Sequence, residues 1–399
     1  MNKNTMHIAV LSVLFITGPA AAVEFDGFLT AGMAAHDQKL VTYLDGVTED
    51  VSFDNDSKFG LQISAKVAEN MQAVAQILAR GSNDNYDMDI AWAYLDYRLT
   101  DGLSLRGGKV KEPVFLISDY FEVGYAYPWI RPPQEVYRNN PINTINGLQM
   151  QYAANLGAVT FLLQPYLGSN TDDVPGTGGQ AQFLAEKFFG AAMQLSNPSF
   201  TFQVSYLKTD VATQGFIPVV DSDGNPSNGL DLPFDGTPGP MTFMSVKSAG
   251  TATLSSAGLS WDIANFVGYT EYVTRDITDS SETLFPDQDA YYVTLGYRMG
   301  KWLPHVTFAH SEAKPLPYGP TTALANVFSV SQDSATIGLR YELNDSAALK
   351  IEYEAIDLPT GPADRPPGSN GLYSDALTPF GVTVEDKSSM ISIAIDVIF

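Results

Sequence analysis

The chain has no cysteine in its 399 residues, so no disulfide and no thiolate metal site can hold it together. Past the leader it has no apolar run of the roughly 20 residues that a membrane helix requires, which excludes a helical membrane protein. Histidine is scarce, and only His36, His305 and His310 lie beyond the leader. His305 and His310 are an odd number of positions apart, so on a strand they face opposite sides. No Ser-His-Asp arrangement, metal site or cofactor site can be assembled from them. Cations are few as well: 22 Lys and Arg stand against 45 Asp and Glu, a net charge of −23. That excludes the basic footprint a nucleic-acid partner would need.

What is present begins with MNKNTMHIAVLSVLFITGPAAAVEF. Lys3, the apolar stretch Ile8–Ile16, Gly18-Pro19 and an Ala-x-Ala site describe a secretory leader over residues 1–22. Residues 23–399 are expected to form one domain. Aromatics make up 12% of the chain, too many for a disordered acidic polymer.

Alternation runs through the remainder. In KSSMISIAIDVIF, Ile391, Ile393, Ile395, Val397 and Phe399 share one face, while Ser392, Ala394 and Asp396 take the other. ATIGLRYEL, AALKIEYEA and AYYVTLGYRM repeat the pattern, with one apolar face and one face able to bear charge. Strands are expected at about 24–36, 59–69, 71–80, 88–100, 103–116, 146–156, 158–168, 187–196, 199–210, 250–263, 265–277, 288–299, 302–312, 333–343, 346–357 and 387–399. Short turns (Glu69-Asn70, Asn197-Pro198, Gly300-Lys301, Asn344-Asp345) alternate with long, acidic, Gly/Pro-rich loops. A sandwich has no reason to keep that asymmetry, whereas an outer-membrane barrel does. Aromatics fall at both strand ends. Phe200, Trp261, Phe266, Tyr297, Trp302, Tyr341 and Phe399 form one set, and Phe189, Tyr206, Tyr272, Tyr291, Phe308 and Tyr353 the other. Two such girdles suit the two lipid–water interfaces. The fold expected is therefore all-β: a transmembrane antiparallel up-and-down barrel of about sixteen strands.

With that strand count, the terminal Phe399 and a long loop after the fifth strand, the mature chain resembles the Gram-negative general porins. Val397, where many members of that family place an aromatic, departs from the pattern. The resemblance implies a water-filled channel for passive diffusion, a third long loop folded into the lumen, and a homotrimer among outer-membrane lipid and lipopolysaccharide. The alternatives are a solute-preferring channel for phosphate, sugar or dicarboxylate, or a surface adhesin or structural barrel.

The third long loop, about 117–145, is crowded with rings and stiffened by Pro128, Pro132 and Pro133. Either it folds inward and narrows the bore, or it docks ligands at the surface, where it would be a sticky patch. Its constriction candidates are Asp119, Glu122, Tyr125, Trp129, Arg131, Glu135 and Arg138. Wall candidates are Lys66, Arg80, Asp96, Arg98, Lys109, Lys111, Arg298, Arg340, Lys350 and Glu352, with Arg275, Glu271, Glu342, Glu354 and Asp396 also inward. Any of these charges could instead be paired within the wall. Strict alternation would turn Lys109 and Lys111 toward lipid, where each costs roughly 2–4 kcal/mol. A bulge at Gly107-Gly108 is expected to switch the phase.

Outer-loop acids (Asp45, Glu49, Asp50, Asp54, Asp56, Asp84, Asp172, Asp173, Asp221, Asp223, Asp231, Asp235) favour a weak cation preference. Asp221 and Asp223 in DSDGN are weak divalent-cation candidates, because Pro226 stands where an EF-hand needs glycine. The outward alanines Ala65, Ala73, Ala75, Ala79, Ala91 and Ala93 suit a flat contact between subunits, or ordinary lipid.

Overall fold

The computed structural model describes residues 23–39, 42–43, 46–82, 85–140, 142–173, 181–218, 243–278, 286–314, 331–358, 373–374 and 385–399. The leader, the DSDGN stretch and Asp45, Asp84, Asp221, Asp223, Asp231 and Asp235 lie outside the described residues. Sixteen strands close an antiparallel barrel in sequence order. They are β1 (Val23–His36), β2 (Lys58–Ala68), β3 (Met71–Ser82), β4 (Asn85–Thr100), β5 (Leu103–Lys111), β6 (Thr144–Leu156), β7 (Val159–Asp173) and β8 (Ala181–Asn197). Then follow β9 (Phe200–Pro218), β10 (Phe243–Ile263), β11 (Phe266–Thr278), β12 (Gln288–Tyr297), β13 (Trp302–Ala313), β14 (Gln332–Asn344), β15 (Ala347–Asp357) and β16 (Lys387–Ile398).

The seam is β1 against β16, and the terminal residue completes it. Gly27 N–H donates to the Phe399 carbonyl at 2.8 Å and Phe399 N–H to the Gly27 carbonyl at 3.0 Å. The Phe399 ring stacks on Phe59 of β2, centroids 6.3 Å apart. No helix among the described residues is long and apolar enough to cross a membrane.

The alternation read from the sequence is the inside and outside of this barrel. On β16, Met390, Ser392, Ala394 and Asp396 are buried within, and Ile391 and Ile395 are exposed without. Tyr291, Phe308 and Tyr353 stand exposed at the long-loop end, and Phe266, Tyr297 and Trp302 at the short-turn end. His305 is buried inward while His310 stacks on the outer Tyr291.

The expected bulge at Gly107-Gly108 does not form. β5 runs in unbroken register there, with Gly107, Gly108 and Lys109 opposite Leu148, Gly147 and Asn146. The irregularity lies one strand away: Gln76 pairs with Trp92 and Ile77 with Ile90, leaving Ala91 as the extra residue of β4. Gly108, at φ +138°, tolerates the local turn that a side chain would resist. β4 extends beyond its pairing with β5, which begins at Ala93. The Lys109 ammonium fills that gap, donating to the Ile90 carbonyl at 2.7 Å and lying 3.5 Å from Asp89. Its charge is satisfied at the parting of two strands. Lys111 turns inward over the Phe121 ring, 5.9 Å from its centroid.

A second correction concerns Asp56. Expected among outer-loop acids, it is buried and paired with Arg131. The first long loop folds back into the mouth, with Ala34 bridged to Ser52. Tyr43 of that loop is buried, and its hydroxyl accepts from the Gln332 amide at 3.2 Å.

Candidate functional site

The third long loop lies inside the barrel. Its first leg leaves β5 and crosses the lumen on amide and hydroxyl supports. Gln149 donates to the Lys111 carbonyl, Gln203 to that of Pro113, and Ser205 and Ser256 to that of Val114. The Leu116 N–H reaches Glu271 at 2.8 Å. Apolar inner-wall residues receive it: Val114, Phe115, Ile117, Ile142 and Ile145 form one core with Leu207, Leu254, Val273 and Tyr292. A porous cylinder thus contains a hydrophobic core of its own, which explains why some inward positions of β8–β12 are apolar.

The far side of the loop is pinned harder. Trp129 is buried, its indole N–H shared by Thr294 and Thr307 at 3.0 Å each. Lys350 donates to the Gly124 and Trp129 carbonyls at 2.6 Å each and pairs with Asp396 at 2.8 Å. Arg340 donates to the Tyr125 and Tyr127 carbonyls. Glu352 accepts from Ile130 N–H at 3.0 Å. Arg131 bonds Ser392 as well as Asp56. Glu135, on the single helical turn Gln134–Tyr137, accepts from Gln332 at 2.7 Å. Gly124 lies so close to Asp396 that a Cβ there would collide with the carboxylate. Six candidates (Trp129, Arg131, Glu135, Arg340, Lys350 and Glu352) therefore hold the loop.

Along β2–β6 the loop leaves charged and polar side chains of the inner wall exposed. Register sets that wall in rows, since directly paired residues of an antiparallel ladder share a face. Lys58, Arg80 and Asp87 lie toward the long-loop end, and Lys66, Gln72, Asp96, Arg106 and Gln149 toward the short-turn end. From the loop, Asp119, Phe121 and Glu122 face them. Glu122 accepts from Arg80 at 2.6 Å with Lys58 at 3.7 Å, joining loop and wall by ion pairs. Arg106 pairs with Asp96 at 2.8 Å and lies over the Tyr94 ring, 5.0 Å from its centroid. Asp119 is exposed, yet protein surrounds it. That setting raises its carboxyl above the usual range, against the pull of Arg106 and Lys111. Burial would also raise Glu122, but Arg80, Lys58 and Lys111 overcome it and hold the group at about 2.

Of the sequence candidates, Arg80, Asp96, Lys111, Asp119 and Glu122 come together between β2–β6 and the loop. Lys66 and Arg98 are exposed at the short-turn end. Arg298 pairs with Asp262 at 2.6 Å there, and with Tyr125, Arg340 and Glu342 it lines a vestibule of about 280 Å³ under the loop. Arg138 is exposed on the loop. Sequence reading missed Lys58 and Arg106. Both sit on inward positions of strands whose alternation was legible, so counting the phase through Arg80 and Asp96 would have found them.

A family model described as Gram-negative porin matches residues 9–360. Among solved structures, OmpT of Vibrio cholerae in a trimer form is 13% identical, with 96% of this chain and 100% of that chain covered at a TM-score of 0.56. OmpF of Salmonella typhi, in complex with daunomycin, is 12% identical over 95% of this chain and 98% of that one, TM-score 0.55. An anion-selective porin from Comamonas acidovorans is 10% identical over 95% of this chain and 100% of that one, TM-score 0.57. At such identities the likeness is one of fold. No curated protein matches the sequence.

Proposed function

The chain belongs to the Gram-negative porin family, and from that premise we propose that it carries small hydrophilic solutes and ions by passive diffusion through the passage between β2–β6 and the third loop. It is an outer-membrane barrel crossing with all sixteen strands. The observation that carries the proposal is the inward loop: it is anchored on the β9–β16 side and leaves charged, water-exposed side chains opposite β2–β6.

The constriction gathers Lys58, Arg80, Arg106 and Lys111 against Asp96, Asp119 and Glu122. Opposite charges across a narrow gap order water and demand that a solute exchange it, which favours small polar molecules over apolar ones of equal size. Supporting assembly, Ala65, Ala73, Ala75 and Ala93 share the outer face of β2–β4 in register. That flat patch suits contact with further copies, and a homotrimer is the reading it supports. The remaining circumference faces lipid and lipopolysaccharide. The expected enzymatic role is none.

Planar-bilayer recording tests the core of the proposal. Purified protein should give discrete conductance steps, and Arg80→Ala should enlarge each step because Glu122 loses a bridge partner. Membranes that stay silent at every protein concentration would refute it.

A further inference from the structure

The vestibule of about 280 Å³ under the third loop is roofed by residues 125–128 and walled from β9 to β14. Its rim includes Pro198 and Ser199 of the β8–β9 turn and Asp262, all exposed, so a solute reaches it from the short-turn end. Two ion pairs line it, and they differ in freedom. Arg340 donates to Glu342 at 2.8 Å and to the Tyr125 and Tyr127 carbonyls, and its side chain is 8% exposed. That pair holds the roof. Arg298 donates to Asp262 at 2.6 Å, with side chains 40% and 51% exposed. This bond takes one N–H of the guanidinium and one oxygen of the carboxylate. The rest of the fork and the second oxygen have no partner among the described residues. Tyr269 lines the same cavity, its ring held against Trp129 with centroids 4.8 Å apart. Its hydroxyl is bonded to nothing among the described residues.

We propose that the Arg298–Asp262 pair, with Tyr269, is a subsite for small zwitterions of the α-amino-acid type on the short-turn side of the channel. The proposal rests on the channel reading above and adds a substrate class to it. A single ion is poorly served here. An anion drawn to Arg298 meets the Asp262 carboxylate beside it, and a cation drawn to Asp262 meets the guanidinium. An amino acid carries its two charges about as close together as this pair does, so the two can lie head to tail. Its carboxylate then takes the free donors of Arg298 while its ammonium gives to the open oxygen of Asp262. The cavity holds two cations and two carboxylates, and a bound zwitterion leaves that balance unchanged. The Tyr269 hydroxyl, donor and acceptor together, answers either end. Exposed ion pairs contribute little each. The hold is therefore weak enough for the solute to leave again, as conduction requires.

The experiment uses the full barrel in planar bilayers at constant ionic strength, with L-glutamine and its two single-charge analogues as probes. Glutaramate lacks the ammonium and γ-aminobutyramide lacks the carboxylate, while both keep the amide. Glutamine should reduce ion current saturably. Its concentration for half-maximal block should lie about threefold below that of either analogue, the scale of one exposed ion pair. The three solutes are compared within each preparation, so the number of open channels cancels. Arg298→Met should erase the margin over γ-aminobutyramide, and Asp262→Asn the margin over glutaramate. Equal half-block concentrations for the three solutes, or a margin that survives its substitution, overturns the subsite while leaving the channel standing. Absence of any conductance removes the channel reading itself.

Discussion

Glu112 and Glu122 belong to the same loop and respond to pH in opposite senses. Glu112 is buried with no ion pair among the described residues, bonded by Asn140 at 3.1 Å, and burial pushes its carboxyl up to about 8. Glu122 is held at about 2 by its cations. An unfolded glutamate releases its proton near pH 4.3. Above that pH an ionised Glu112 is favoured only in the unfolded chain, so its burden on the fold grows as pH rises and levels off above about 8. The contribution of Glu122 is complete above the unfolded value and fades only as pH falls toward about 2. Glu112→Gln should therefore raise the thermal unfolding temperature in detergent at pH 8.5 and leave it nearly unchanged at pH 4. Glu122→Gln should lower it at neutral pH, with the difference shrinking in strong acid. A melting series across pH for both variants checks the two signs together.

The third loop is the element on which function turns, and its inward course was legible while its anchors were not. Rings and prolines in one irregular segment indicated a stiff object needing a surface to pack on. Its partners, however, are Asp56, Glu271, Thr294, Lys350 and Ser392, scattered over most of the chain. No local spacing links Arg131 to Asp56, so a charge that holds the loop looks identical in sequence to one that meets solutes. The lysine pair showed the opposite failure. Lys111 turns inward as expected, but no bulge at Gly107-Gly108 does it, and Lys109 closes the gap where β4 and β5 part. Two substitutions separate holding from sieving. Trp129→Ala should cost about 3–5 kcal/mol, the usual range for truncating a buried ring. Lys350→Met should cost about 3–5 kcal/mol too, since Asp396 is left buried without its partner. Both should produce noisy, fluctuating conductance levels in bilayers. Steady levels of unaltered size would show that the loop is held without them.

At the scale of the molecule, lipid explains why sixteen strands could be counted from sequence. Each strand must present apolar residues outward along its whole length, so periodicity is imposed on all of them. No such constraint acts on the acidic outer loops. The chain is strongly acidic, yet beside the inward loop four cations, Lys58, Arg80, Arg106 and Lys111, face three acids, Asp96, Asp119 and Glu122. On the channel reading, ion selectivity should answer to both regions. Weak cation preference at low salt should fade as salt screens the mouth, and Arg80→Glu should move the reversal potential further toward cations. On the outer surface, Ala75→Arg would push a bulky charge into the flat alanine patch of β2–β4. A heat-modifiable oligomer band on gels should then collapse to monomer, and an unchanged band would assign that face to lipid.

Lys350 binds the loop with one hand and the final strand with the other. Asp396 lies on β16, between β15 and β1, and Thr30 of β1 donates to the same carboxylate at 2.6 Å. The last strand to emerge therefore completes the lock that fixes a segment made long before it. Zipping the cylinder shut and setting its stopper become a single event, and a barrel sealed out of step would leak.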